Sequence, residues 1–146
     1  MTSLSNKIDF ALVFAVSNAN PNGDPLNGNR PRTTSEGLGE VSDVALKRKI
    51  RNRLQDEGES IFVQSSDRAD DGEPSLSARF NDYLKTLTKD EQKQKNVVFD
   101  KVCGQWLDVR AFGQVFAFKK GKDVDEVSLG VRGPVSIQSA FSLEPI

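Results

Sequence analysis

Ile8, Phe10, Leu12, Phe14 and Val16 recur at every second position, so that one face of an extended chain is apolar, and this period predicts a first β-strand over Ile8 to Val16. The pattern then breaks. From Ser17 to Glu40 the chain carries Pro21, Pro25 and Pro31 with Gly23, Gly28, Gly37 and Gly39, which exclude a helix or an interior strand and predict a long loop. Beyond it the spacing becomes helical. Ser42 is a candidate N-cap with Asp43 in the first turn, Val41, Leu46, Ile50 and Leu54 form the inner stripe, and the run Lys47-Arg48-Lys49-Ile50-Arg51-Asn52-Arg53 lies toward the C-terminal end, so both ends suit the helix dipole.

Ile61, Phe62 and Val63 read as a short strand, and Gln64 to Pro74 as an acidic, polar and mobile stretch. Leu76, Phe80, Tyr83, Leu84 and Leu87 return to helical spacing, and Thr88 with Glu91 forms a capping box for a helix running toward Val102. Trp106 to Val109 and Gln114 to Phe118 read as extended segments around Ala111-Phe112-Gly113. Gly121-Lys122-Asp123 predicts a turn, after which Val127 to Val131 and Val135 to Gln138 are short strands separated by Gly133-Pro134. There is no internal repeat. A strand, a helix and later strands, with a helical insertion at approximately 56–104, fit an α+β plan of the ferredoxin-like or RNA-recognition-motif type in a single domain over 1–146. In that plan a second long helix and a closing strand would follow Gln138, so the domain reads as incomplete at its C-terminus.

Charge changes this picture locally rather than globally. The formal net charge of the 146 residues is −1, but Arg30, Arg32, Lys47, Arg48, Lys49, Arg51 and Arg53 gather in one stretch, while Asp56 to Glu73 is acidic. A basic helix beside a loop of small residues holds positive potential suited to a phosphate backbone. A solvated helix whose cations merely suit the dipole explains the same composition equally well. Cys103 is the sole cysteine, so no intrachain disulfide forms and a cytoplasmic, reducing compartment is the simpler expectation. The apolar N-terminal run is too short for a bilayer, is interrupted by Asp9 and leads into no cleavage pattern, which argues against a membrane or a signal peptide.

Histidine is absent, which removes Ser-His and Cys-His nucleophile pairs, a histidine general base and histidine-containing zinc sites. No catalytic residue, metal or cofactor is assigned. The candidate nucleic-acid-contacting residues are Asn20, Asn22, Gly23, Asn27, Asn29, Arg30 and Arg32 in the loop, where small residues admit a backbone and amides meet phosphate oxygens, together with Lys47, Arg48, Lys49, Arg51 and Arg53 on the helix and Arg132 near a sheet end; for the loop, composition alone favours a turn-rich surface connection. For Arg132 a solvated turn is an equal alternative. Asp108 and Arg110, alternating about Val109, read as structural residues that pair with each other or with neighbours. Phe112 and Trp106 read as core residues rather than stacking platforms.

Three ordered blocks carry a family resemblance: N-A-N-P-N-G-D-P-L-N-G-N-R-P-R with D-V-A-L-K-R-K-I-R-N-R between Asn18 and Leu54, then Asp108-Val109-Arg110-Ala111-Phe112-Gly113, then Val131-Arg132-Gly133-Pro134-Val135-Ser136-Ile137-Gln138. Together they resemble the repeating backbone subunit of CRISPR type I Cascade complexes, closest to the I-C subtype. The resemblance covers nearly all of this chain but only the N-terminal half of the family protein, so the chain reads as a fragment. It implies the same ferredoxin-like fold without the aromatic signatures of ordinary RNA-recognition motifs.

The resemblance further implies a structural, non-enzymatic subunit that holds a guide CRISPR RNA by its backbone, in adjacent copies and with other Cascade subunits, so that base pairing reads target DNA. Two alternatives stand beside it. Related backbone subunits of type III complexes cut RNA with a loop aspartate and a divalent metal, and Asp24 invites that comparison, although a lone aspartate between Gly23 and Pro25 is ordinarily a turn former. The other is a free-standing RNA-binding domain.

Overall fold

The computed structural model describes residues 4–118 and 127–146. The chain separates into two compact units, Met1–Val41 with Phe141–Ile146, and Ser42–Ala140. In chain order the elements are β1 (Gly23–Asp24), β2 (Arg30–Pro31), β3 (Leu38–Val41), α1 (Asp43–Asp56), α2 (Leu76–Lys85), α3 (Lys89–Gln92), α4 (Lys95–Gln105), α5 (Leu107–Phe112), β4 (Gly113–Phe118), β5 (Val127–Arg132) and β6 (Ala140–Pro145). The α+β class holds. The strands lie in three two-stranded sheets, β1 with β2, β3 with β6 and β4 with β5, and no single ferredoxin-like sheet forms among the described residues.

In the first unit the expected strand over Ile8 to Val16 is absent. Its alternation marks a face fit for a sheet, but a strand exists only through ladder partners, and none pairs with it among the described residues. Its side chains are accordingly exposed, Phe10 at 64% and Val13 at 91%. The following loop, by contrast, contains order that its prolines and glycines concealed. Gly23 faces Pro31 and Asp24 faces Arg30 across a short antiparallel hairpin. Pro25 opens a 3-10 turn over Pro25–Asn27, and the Asp24 carboxylate accepts from the Leu26 amide at 3.0 Å. Gly28 and Asn29, at φ 59° and 57°, reverse the chain in the left-handed region. Further on, β3 is held to β6, with the Gly39 amide donating to Ser142 Oγ at 2.8 Å.

The second unit begins as expected. Ser42 Oγ accepts from the Ala45 amide, capping α1. Leu46 is the one fully buried member of its inner stripe, with Ile50 and Leu54 half-buried and Val41 placed in β3 instead. The predicted helix at Leu76 is α2, and the Thr88/Glu91 capping box is present. It caps the short α3, and a break at Lys93 and Gln94 separates this from α4.

Leu84, Val98, Val102, Val109 and an aromatic group of Phe62, Phe80, Trp106 and Phe116 form the core. Ring centroids stand 4.5 Å apart for Phe80 and Phe116 and 4.7 Å for Phe62 and Trp106, the offset and tilted range in which aromatic pairs attract beyond area burial. Trp106 is thus core, as expected. On β4, Phe116 is buried while Val115 is 68% exposed, the alternation of a strand with one face covered.

Three expectations fail here. Ile61 to Val63 is not a strand, because the Phe62 and Val63 amides donate to the Asp108 carboxylate rather than to a ladder. Leu107–Phe112 is helical, not extended: the Asp-Val-Arg alternation was too short to set a period. Val135 to Gln138 forms no strand, the final one being β6.

The acidic stretch expected to be mobile is pinned. Arg79, almost fully buried, donates to both Asp71 carboxylate oxygens, to the Phe62 carbonyl and to Gln64. Arg68 pairs with Asp56, and Gln55 and Gln64 both donate to Asp70. The turn expected at Gly121-Lys122-Asp123 lies outside the described residues. None of the described helices is long and apolar enough to cross a membrane.

Candidate nucleic-acid interface

Helix α1 does not use its cations alike. Arg51 turns inward: its Nε donates to Asp108 Oδ2 at 2.8 Å, and Asp108 is wholly buried. The same carboxylate accepts from the Phe62 amide at 2.8 Å and the Val63 amide at 3.1 Å. A buried carboxylate requires such full pairing, since desolvation without it costs several kcal/mol. Arg51 is therefore bonded into the fold through its Nε. Asp108 does not pair with Arg110, whose guanidinium reaches the Cys103 carbonyl.

Arg48 is also engaged inward, donating from Nη1 to the Val63 carbonyl at 2.6 Å. Burial, and then the neighbouring Arg51 charge, lower its pKa. Arg53 forms an i,i+4 pair with Glu57 and stays exposed, and Lys49 is exposed. Lys47 pairs with Asp43 at 3.0 Å, a bond that holds the Asp43 carboxyl below its ordinary range.

Lys47 also lines a groove of about 500 Å³ with Phe112, Gln114, Val115, Arg132 and Ser136. Two candidate cations far apart in sequence, Lys47 and Arg132, thus share one concavity, on the helix in one case and at the end of β5 in the other. What permits this is a close backbone approach. Gly113 and Arg132 are cross-strand partners, and a Cβ on Gly133 would stand 2.3 Å from the Ala111 oxygen and the Gly113 nitrogen. Gly113, at φ 80° and ψ 164°, occupies a region essentially closed to other residues. The Val135 amide then donates to the Ala111 carbonyl at 3.0 Å. The second and third sequence blocks are one junction, and its outer surface is the groove.

The remaining candidates belong to the first unit, where several side chains hold the loop itself. Asn20 Nδ2 donates to the Asn29 carbonyl at 2.7 Å and Asn22 Nδ2 to the Gly23 carbonyl at 3.3 Å. The Asn29 side chain fills the space over Gly23, so a Cβ there would meet it at 2.0 Å. Asn20 and Asn22 therefore build the hairpin with their amides, while Asn27 and Arg30 are exposed on it. Arg32 is exposed and pairs with Glu40 at 2.9 Å.

Sequence reasoning missed Gln114, Val115 and Ser136 as groove residues and assigned Phe112 to the core, whereas the ring is half-buried with the Arg51 guanidinium 5.1 Å from its centroid. The readable signal was the pair of glycines, Gly113 and Gly133, each beside a bulky or charged residue.

Residues 6–146 match the family model described as CRISPR-associated protein Cas7. A protein of Haloferax volcanii described as CRISPR-associated protein Cas7 is 33% identical over 129 residues, covering 86% of this chain and 37% of its own length. The chain thus spans well under half of that relative.

Proposed function

This chain belongs to the CRISPR-associated protein Cas7 family, and from that premise we propose that it is an RNA-binding structural subunit of a CRISPR effector complex. Its task in this reading is to hold the guide RNA by the sugar-phosphate backbone while base pairing recognises target DNA. The type I assignment, nearest the I-C kind, and packing of adjacent copies with other subunits along the guide belong to the same proposal. Beyond family membership, the observation that supports it most is the convergence of Lys47 and Arg132 on one open groove, because two cations with half-apolar walls suit a phosphate-bearing strand. Exposed Lys49 and Arg53 add positive surface.

Binding without turnover is part of the proposal. Asp24, the residue that invites comparison with metal-dependent cleavage, spends its carboxylate on the Leu26 amide at the start of a 3-10 turn. RNAs of one length and scrambled sequence are expected to bind with equal affinity within a few-fold and to remain intact with magnesium present. A preference above tenfold for one unstructured sequence, about 1.4 kcal/mol, would instead favour a free-standing recognition domain.

A further inference from the structure

The groove of the second unit holds more than two cations. Part of its wall is the Phe112 ring, which stands outside the buried aromatic cluster. That ring is held against the Arg51 guanidinium, itself fixed by the buried Asp108 carboxylate. A ring so immobilised loses little freedom when a second flat group packs on it, which favours stacking. Val115 and Val135, both exposed apolar residues, line the same concavity. Its volume of about 500 Å³ falls within the roughly 300–1,000 Å³ of sites for single small ligands, which is room for one nucleotide.

We infer that this groove receives one nucleotide of a single RNA strand, its base packed against Phe112 and its phosphate held by Lys47 and Arg132. The inference rests on the RNA-binding reading above and adds a base-contacting subsite to it. Any base offers a π face, so such a site leaves binding indifferent to sequence while requiring that bases be present.

The test compares an ordinary single-stranded RNA with an abasic strand of equal length, which keeps the phosphates and lacks the bases, by fluorescence anisotropy with the full chain. The abasic strand is expected to bind about tenfold or more weakly, the effect of roughly one stacked base. Phe112→Leu should weaken the ordinary strand by a similar factor and leave the abasic strand unchanged, and Phe112→Tyr, which keeps the ring, should restore binding. Equal affinities of the unmodified chain for both strands would overturn the subsite and leave phosphate binding standing. If neither strand binds, the RNA reading fails and the subsite with it. Displacement of the strand by free adenosine monophosphate at comparable concentration would overturn the assignment to a strand.

Discussion

Asp108 and Arg51 form a buried ion pair, 2.8 Å between carboxylate oxygen and guanidinium Nε, that joins α5 to the middle of the basic helix. Asp108 also accepts two backbone amides from the segment before the acidic loop, so one side chain ties three parts of the second unit together. The most prominent basic run in the sequence is thereby divided: Arg51 and Arg48 bond within the fold, Lys47 is half-buried at the groove, and Lys49 and Arg53 are exposed.

Replacing Asp108 with Ala is expected to destabilise the second unit by about 3–5 kcal/mol, the usual result of leaving one member of a buried pair uncompensated. Lys49→Glu, on the exposed face, should change stability by less than about 0.5 kcal/mol. Urea unfolding followed by Trp106 fluorescence checks both. A loss below about 1 kcal/mol for Asp108→Ala would show the pair to be dispensable.

The glycines make opposite predictions according to their surroundings. Gly113→Ala meets a closed backbone region and the Val131 oxygen at 2.6 Å from the new Cβ, so it should cost about 1–3 kcal/mol or more. Gly104 lies inside α4 with nothing within 4 Å of an added Cβ, and Gly104→Ala should stabilise by about 0.5–1 kcal/mol through helix propensity. Thermal melts of the two variants should therefore move in opposite directions.

Acid should loosen the acidic loop. Hydrogen bonding from Arg79 holds the Asp71 carboxyl below its ordinary value. The stabilisation it carries is fully present above the unfolded pKa of about 4 and disappears as pH falls through the lower folded value. Asp71→Asn should accordingly be less stable than the parent at pH 7, with the gap closing toward pH 3. A gap independent of pH would remove this pair as its cause.

The local devices were legible in the sequence: the Ser42 cap, the Thr88/Glu91 box, the α2 stripe and the β4 and β5 strands each follow from neighbouring residues. What depended on distant partners was not. Ile8 to Val16 has the period of a strand, yet pairing is a property of two segments, and the described residues supply no second one. Asp108-Val109-Arg110 fits extended and helical backbone alike over three residues, and only Phe62, Val63 and Arg51 decide which. The site was half visible for the same reason: Lys47 and Arg132 were named singly from charge, while their shared groove and the Phe112 wall arise from the Gly113 and Gly133 contact across a hairpin.

If RNA is held through phosphate contacts in the groove of Lys47 and Arg132, the dependence of RNA affinity on salt must show it. Log affinity for a single-stranded RNA should fall linearly with log salt, and Lys47→Ala and Arg132→Ala should each weaken binding and flatten that slope by about 0.7, with both variants remaining folded. Binding absent at low salt, or an unchanged slope in the doubly substituted chain, would contradict it.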